Sequence, residues 1–285
     1  MSERALRPPA GNSGKALLLT VLGEFALPRT RSIWTSTIVE GLRLLDIGER
    51  NARQAVARLG DSRVVGSERR GRRTRWHLTE SGAELLRSGA ERIYGFGDNG
   101  TVWDSRWLVV VAPVPEEQRA KRHQLRSRLE FAGFGFLGPG IAVSPHTERE
   151  PAANTILREL ELQDSAAVWL AETGSFVPDA EIIRRAWDLD DLALRYRAFV
   201  GDFEARRPKT PDSQFAALVE LVHAWRRFPF YDPEIPDTLL PPKWPGHTAK
   251  RLFDARHQTW ARGAGEWFAE AEASEGPSVK RGRGG

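Results

Sequence analysis

The stretch GERNARQAVARLGDSRVVGSERRGRRTRWHL, residues 48–78, decides the fold of the N-terminal part of this chain. On a helical wheel, residues 49–59 place four apolar side chains on one side, as an amphipathic helix requires. These four are Ala52, Ala55, Val56 and Leu59. Two strand-like segments follow, joined by a basic turn at Gly71. This order predicts a winged helix-turn-helix, in which a helix is followed by two strands joined by a turn. Further helices are expected on both sides.

The polar side of this helix carries side chains that suit duplex DNA. Arginine can donate two hydrogen bonds to guanine, glutamine can pair with the edge of adenine, and a small residue such as Ala57 lets a helix enter the major groove. Taken alone, the same face is also typical of a solvated surface helix. Its position before a basic hairpin favours DNA binding. The predicted DNA-contacting residues are Arg50, Asn51, Arg53, Gln54 and Arg58.

The predicted wing concentrates positive charge at its tip. Gly71 permits a tight turn between the two strands. Arginines on both sides of it predict contacts with phosphates or with the minor groove. These wing arginines are Arg69, Arg70, Arg72, Arg73 and Arg75.

Length and charge indicate several domains with different surfaces. The chain has 285 residues, 40% of them hydrophobic, and ten tryptophans, which suffices for two or three packed domains. Through Arg92 it has 17 Lys and Arg against 10 Asp and Glu, a net charge of +7, whereas the remainder has 25 against 28, a net of −3. The positive charge is therefore local to the N-terminal region, as expected if that region alone meets a polyanion.

Several kinds of chemistry find no support in the sequence. The absence of cysteine excludes disulfides, thiolate zinc sites and cysteine nucleophiles. The six histidines form no close pair, and no nucleophile elbow, phosphate-binding loop or dinucleotide-binding stretch is present. The apolar runs are far shorter than the roughly 20 residues that cross a bilayer. We therefore predict a cytoplasmic protein without a signal peptide, catalytic residues, metal or cofactor, and with no membrane partner.

Periodicity and turn residues predict an α+β chain of three domains. They are a winged helix-turn-helix at residues 13–95, a ferredoxin-like split βαβ domain at 101–175 and a helical C-terminal domain at 178–273. Ser13 is expected to cap the first helix, and Thr30 or Ser32 the second. Residues 1–12 and 276–285 are expected to be a loose arm and a basic tail. Arginines between Arg119 and Arg128 indicate either a second nucleic-acid surface or a solvated helix face.

Four motifs carry a resemblance to a known family. They are TVLGEFALPR at 20–29, RWLVVVAPVPEEQR at 106–119, FGFLGPGIAVSP at 134–145 and LVHAWRRFPFYDPEIPDTLLPPKWPG at 221–246. With them the chain resembles the PaaX-type family of bacterial transcriptional regulators, best known as repressors of phenylacetate degradation. The resemblance implies a homodimer on a palindromic double-stranded operator. It also implies release of DNA when an acyl-CoA effector binds, such as phenylacetyl-CoA or another aryl-CoA thioester.

The resemblance also implies site residues. On the DNA side it points to the helix and wing residues already given. On the effector side it points to His223, Trp225, Arg226, Arg227 and Phe228, with Arg195 and Tyr196 as further candidates. A structural role for His223 remains open. Where many family members begin the recognition helix with a serine or threonine cap, this chain has Gly48, and Asp46 is a candidate substitute.

The central region also resembles the small CRISPR-associated integration nucleases. Those proteins place a metal-binding aspartate at the end of the first strand, whereas the strand near residues 107–114 ends here without a carboxylate. We therefore expect no metal nuclease. Two function classes remain, a ligand-responsive repressor of an aromatic-acid catabolic operon and an acyl-CoA-processing enzyme or sensor that carries a winged helix.

Overall fold

The computed structural model describes residues 13–29, 32–98 and 102–274. Within these ranges the protein combines helices with two antiparallel sheets, which confirms the predicted α+β class. The predicted N-terminal arm, the Thr30 cap, the turn residues at 99–100 and the basic C-terminal tail lie outside the described residues.

Contacts along the chain divide it into two compact units. The unit that we call the central unit contains Phe96–Gly201 and Arg227–Lys250. The winged-helix unit contains the described residues up to Gly95, Asp202–Arg226 and the chain from Arg251 to Ser274. The predicted division into three domains remains a prediction.

The N-terminal region of the winged-helix unit follows the predicted order of helices and strands. Its helices are α1 (Gly14–Val21), α2 (Thr35–Arg43), α3 (Glu49–Asp61) and α4 (Glu80–Tyr94), and its strands are β1 (Ile33–Trp34), β2 (Val65–Arg70) and β3 (Arg73–Leu78). The Ser13 hydroxyl accepts a hydrogen bond from the Ala16 amide at 3.3 Å, which confirms the predicted cap of α1. A π-helical turn, Leu22–Ala26, extends α1 before a short 3₁₀ turn.

The start of the second helix differs from the prediction. Ile33 and Trp34 form a strand that pairs antiparallel with β3, opposite Trp76 and Arg75. The helix therefore begins at Thr35, without a side-chain cap from Ser32. Ile33 and Trp34 are both buried, and the pairing provides hydrogen-bond partners for their backbone groups. One is β-branched and the other aromatic, which is typical of strands.

The apolar faces of the N-terminal helices meet in a dense core. Leu18, Ile38, Leu42, Val56 and Leu59 are each at most 1% exposed. Burying each such side chain contributes about 1.5–3 kcal/mol, so this core holds α3 firmly against α1 and α2. The opposite side of α3 is thereby left to the solvent.

The central unit contains the predicted ferredoxin-like domain. Its elements are β4 (Trp107–Val111), α5 (Arg119–Phe131), β5 (Gly135–Gly138), β6 (Ile141–Ser144), α6 (Glu150–Glu159) and β7 (Ala167–Ala171). The sheet order is β5-β6-β4-β7, with all neighbours antiparallel. Each strand–helix–strand unit thus leaves room for one inserted strand, which is the split βαβ arrangement.

The C-terminal region is helical, as predicted. Its helices are α7 (Asp179–Ala186), α8 (Leu189–Glu204), α9 (Pro211–Trp225), a short α10 (Phe228–Tyr231) and α11 (Pro245–Ser274). Thr210 and Ser213 form a capping box at the start of α9. Helices α8 and α11 each contribute residues to both compact units. Among the described helices, none is long and apolar enough to cross a membrane.

Candidate nucleic-acid interface

Helix α3 presents a polar face to the solvent. Its buried residues are the four predicted apolar ones, and all five predicted DNA-contacting residues of the helix are exposed. Ala57 between them is exposed as well, so the face has no bulky apolar side chain at its centre. The helix begins after Gly48 without a side-chain cap, so the expected substitution by Asp46 is wrong. Asp46 instead has a positive φ of 60° in the turn before the helix.

One arginine of this face is paired within the helix. The Arg53 guanidinium lies 2.8 Å from the Glu49 carboxylate, and both side chains are more than half exposed. Such a solvent-exposed pair stabilises the protein by about 0–1 kcal/mol. Arg53 can therefore exchange Glu49 for a phosphate or a base at little cost.

The wing is a regular antiparallel hairpin. Arg70 and Arg73 are its last paired residues, and Gly71 has a φ of 63°, which favours glycine. Arg69, Arg70, Arg72 and Arg73 are exposed around this turn. Arg70 makes an exposed ion pair of 2.7 Å with Glu68. The tip therefore offers a high density of positive charge to a polyanion.

Arg75 differs from the other wing arginines because its side chain turns inward. Its guanidinium donates to the Ser32 carbonyl at 2.7 Å and to the Glu272 carboxylate at 3.0 Å. It also lies 4.6 Å from the centre of the Trp34 ring. These contacts give Arg75 a packing role inside the winged-helix unit. No pattern in the sequence indicates Glu272, 197 positions away, as the partner of Arg75.

Three of the seven predicted effector residues lie in the winged-helix unit, inside its packing. His223 is 4% exposed, with Nδ1 3.3 Å from the Thr20 hydroxyl. Trp225 stacks on Phe253 at 4.8 Å and donates its indole N–H to the Ile93 carbonyl. Arg226 donates to the Thr20 hydroxyl at 3.2 Å.

The other four belong to the central unit. Tyr196 and Phe228 are buried and stack at 4.2 Å, and the Tyr196 hydroxyl donates to the Asp232 carboxylate at 2.5 Å. Burial and the neighbouring Asp232 raise the pKa of Tyr196 above its ordinary value, so the phenol remains a donor. Arg195 is exposed and paired with Asp191, and Arg227 is partly buried.

The structure therefore does not bring the seven predicted effector residues together in one unit. Six of them make packing contacts or internal hydrogen bonds, Arg195 through its bond to Asp191, and none of the seven lines either of two clefts in the central unit. Their predicted role in ligand binding remains untested. In the part of the chain that the structure describes, no group of three or more His, Cys, Asp or Glu side chains is arranged to hold a metal ion.

Comparisons with known proteins agree over most of the chain. Three family descriptions match in succession, "PaaX-like protein" at residues 13–82, "PaaX protein central Cas2-like domain" at 100–183 and "PaaX-like protein C-terminal domain" at 187–270. The transcriptional repressor PaaX of Escherichia coli strain K12 is 28% identical over 251 residues, covering 84% of this chain and 78% of that protein. The uncharacterized protein Rv0674 from Mycobacterium tuberculosis, 18% identical, shares the fold with a TM-score of 0.58 over 89% of this chain and 96% of that chain.

Proposed function

Because this chain belongs to the PaaX-like protein family, we propose that it is a transcriptional repressor that binds duplex DNA. The observation that carries the proposal is the winged-helix unit, in which an exposed polar helix face and an arginine-rich wing belong to one compact body. The similar protein from Escherichia coli bears the name of a transcriptional repressor.

In this proposal α3 enters the major groove. Its exposed side chains, chiefly Arg50 and Gln54, read base edges, and Arg53 leaves Glu49 for DNA. The four outward wing arginines hold phosphates, which adds affinity with little sequence preference. Arg75 contributes indirectly, by fixing the wing to the body of the unit.

The effector part of the proposal is ligand-induced release. We propose a homodimer on a palindromic operator, with its two α3 helices in successive major grooves about 34 Å apart. An aryl-CoA thioester such as phenylacetyl-CoA binds better to a dimer whose helices are spaced wrongly, and so weakens DNA binding. The regulated genes would then encode aromatic-acid catabolism. Support comes from the family and from the separation of basic and aromatic regions along the chain.

Fluorescence anisotropy with the DNA upstream of the protein's own gene tests the DNA part. Gln54→Ala should weaken operator binding about tenfold or more and relax the sequence preference, whereas Arg72→Ala should weaken operator and random DNA alike and lower the salt dependence by about one counterion. Arg158→Ala, an exposed arginine of α6, is the control for loss of one positive charge. Equal behaviour of all three variants would contradict DNA recognition by α3 and the wing.

Titration of the same complex with phenylacetyl-CoA, coenzyme A and phenylacetate tests the effector part. Release by the thioester alone is the expected result. If none of the three compounds changes DNA binding, the repressor proposal stands and the proposed effector is wrong.

The enzymatic alternative predicts that the thioester is consumed. Incubation with phenylacetyl-CoA and a thiol reagent would reveal hydrolysis or transfer as free coenzyme A. Because the protein has no cysteine, it adds no thiol of its own to the assay. We expect no thiol above the rate of the uncatalysed reaction.

A further inference from the structure

The ferredoxin-like region contains a cleft whose ionisable lining side chains are all basic. The cleft measures about 700 Å³. We call it the basic cleft; its polar and aromatic lining consists of Arg119, Arg122, His123, Arg126 and Phe136. None of its lining residues is acidic. A binding site of this size is typical of small-molecule ligands, and this charge suits an anion.

The fold explains why these side chains converge. Positions 119 and 126 of α5 each lie three or four residues from both 122 and 123, so the four side chains share one face. The turn Gly138–Gly140 between β5 and β6 closes the cleft on the other side. Gly140 has a φ of 69°, and a Cβ there would lie 2.8 Å from the Ala112 carbonyl. Glycine thus allows the turn to pack tightly against the end of β4.

The arginines of the cleft differ in how they are held. Neither Arg119 nor Arg122 has an ion pair or a hydrogen bond within the described ranges. Arg126 lies 4.6 Å from the centre of the Phe136 ring and pairs with Glu130 at 2.8 Å across exposed surface. Two guanidinium groups are therefore available for charge-assisted hydrogen bonds, and a third stands over an aromatic ring.

A second cleft adjoins the first. It measures about 1120 Å³ and shares Arg126 and Phe136 with the basic cleft. We call it the aromatic cleft, since Trp103 and Trp187 line it together with the apolar Leu239 and Leu240. The charged lining of this cleft is mixed, since three carboxylates, Asp179, Asp188 and Asp190, accompany Arg126, Arg184 and Arg185. The basic cleft has no carboxylate, so a ligand that spans both clefts is favoured with its anionic end in the basic cleft.

We propose that the two clefts form one elongated site for an acyl-CoA thioester. Arg119 and Arg122 bind the phosphates of the nucleotide end, Phe136 and Arg126 lie where the two clefts meet, and the aryl-acyl tail occupies the aromatic cleft. This site rests on the proposed function for the choice of ligand. In this proposal it takes the place of the effector site predicted at His223, at residues 225–228 and at Arg195 and Tyr196. All the residues that line the two clefts belong to the central unit.

Calorimetric titration of the full chain with phenylacetyl-CoA tests the site. The double variant Arg119→Ala and Arg122→Ala should raise the dissociation constant at least tenfold, as loss of charge-assisted hydrogen bonds implies. The matched control, Arg158→Ala with Arg197→Ala, removes two exposed arginines outside both clefts and should leave the dissociation constant within twofold. Adenosine 3′,5′-bisphosphate, a probe for the nucleotide end alone, should bind the unaltered protein and lose affinity in the first double variant.

A second measurement probes the tail. Leu239→Ala should reduce the preference for phenylacetyl-CoA over coenzyme A while leaving the affinity for the bisphosphate unchanged. A preference that Leu239→Ala does not alter would overturn the assignment of the aromatic cleft.

The outcomes separate this site from the proposed function. If the arginine variant binds phenylacetyl-CoA as tightly as the unaltered protein, the site is wrong and the effector proposal survives. If the unaltered protein binds no thioester, both are overturned. If the arginine variant instead loses operator affinity without ligand, the helix face contacts DNA and the ligand site is overturned.

Discussion

Glu272 is the residue whose replacement best tests the contact between α11 and the wing. Its two carboxylate oxygens accept hydrogen bonds from the Trp34 amide at 2.9 Å and from the Arg75 guanidinium at 3.0 Å. The Glu272 side chain is 18% exposed and the Arg75 side chain 30% exposed. Glu272→Ala therefore leaves a largely buried amide and a half-buried guanidinium without this acceptor.

The size of the effect follows from these contacts. A hydrogen bond to a charged group contributes about 1.5–3 kcal/mol, and two such bonds set an upper limit of about 6 kcal/mol. Partial exposure weakens the Arg75 contact, and Arg75 keeps its bond to the Ser32 carbonyl. We therefore expect Glu272→Ala to lower the free energy of unfolding of the winged-helix unit by about 2–4 kcal/mol, and Glu272→Gln, which retains an acceptor oxygen, by about half as much.

Native-state hydrogen exchange with urea denaturation measures this change where it occurs. The Trp34 amide should exchange faster in Glu272→Ala, and the urea midpoint of the winged-helix unit should fall. Glu270→Ala removes an exposed carboxylate from the same helix and is the control. If the two variants have equal urea midpoints and equal Trp34 exchange rates, α11 does not hold the wing in the way described.

Three further changes test the packing. Gly82→Ala places a Cβ 2.0 Å from the Val64 carbonyl, so it should lower the free energy of unfolding, measured by urea denaturation, by about 1–3 kcal/mol. Gly89→Ala on the same helix meets nothing within 4 Å and should raise that free energy by about 0.5–1 kcal/mol. Equal effects of the two variants would contradict the packing of α4. Burial lowers the pKa of His146, so the unfolded state binds a proton more readily than the folded state. The free energy of unfolding should therefore fall as the pH drops below about 6.5. His146→Asn should weaken this dependence of stability on pH, and an unchanged dependence would refute the role of His146. Tyr94 donates to Glu24 in a buried site, so Tyr94→Phe should lower the urea midpoint by the equivalent of about 1–3 kcal/mol, and an unaltered midpoint would show that the bond contributes nothing.

The elements of the DNA-binding region were predictable because their signals are local. A helical period of 3.6 separated the buried and exposed residues of α3, and a glycine between two strand-like segments located the turn of the wing. The ferredoxin-like order was predictable because short apolar runs, typical of strands, are separated by two helical segments. The start of α2 was predicted wrongly because its cause is not local, since Ile33 and Trp34 pair with a strand that comes about 40 residues later.

The predicted effector residues could not be assigned a role from sequence patterns alone. The residue types near position 225, tryptophan, arginine and histidine, occur both in ligand sites and in packed interiors. Only the burial of the side chains distinguishes a ligand site from a packed interior. In the structure Trp225 and His223 are almost wholly buried. The arginines of α5, by contrast, indicate either a nucleic-acid surface or a solvated helix face, and the structure places three of them, Arg119, Arg122 and Arg126, along a cleft.

By itself, the sequence determined the class of the fold, the order of its elements and the identity of the face that α3 exposes. Each of these depends on periodicity or on turn residues within a few positions. Only the tertiary structure decided which arginines pair inside the protein and which line a cleft, because the partner of Arg75 comes from α11 and the basic cleft lies between α5 and the turn that joins β5 to β6. Such partners are chosen by the packing of segments far apart in the chain, and no spacing in the sequence records that choice.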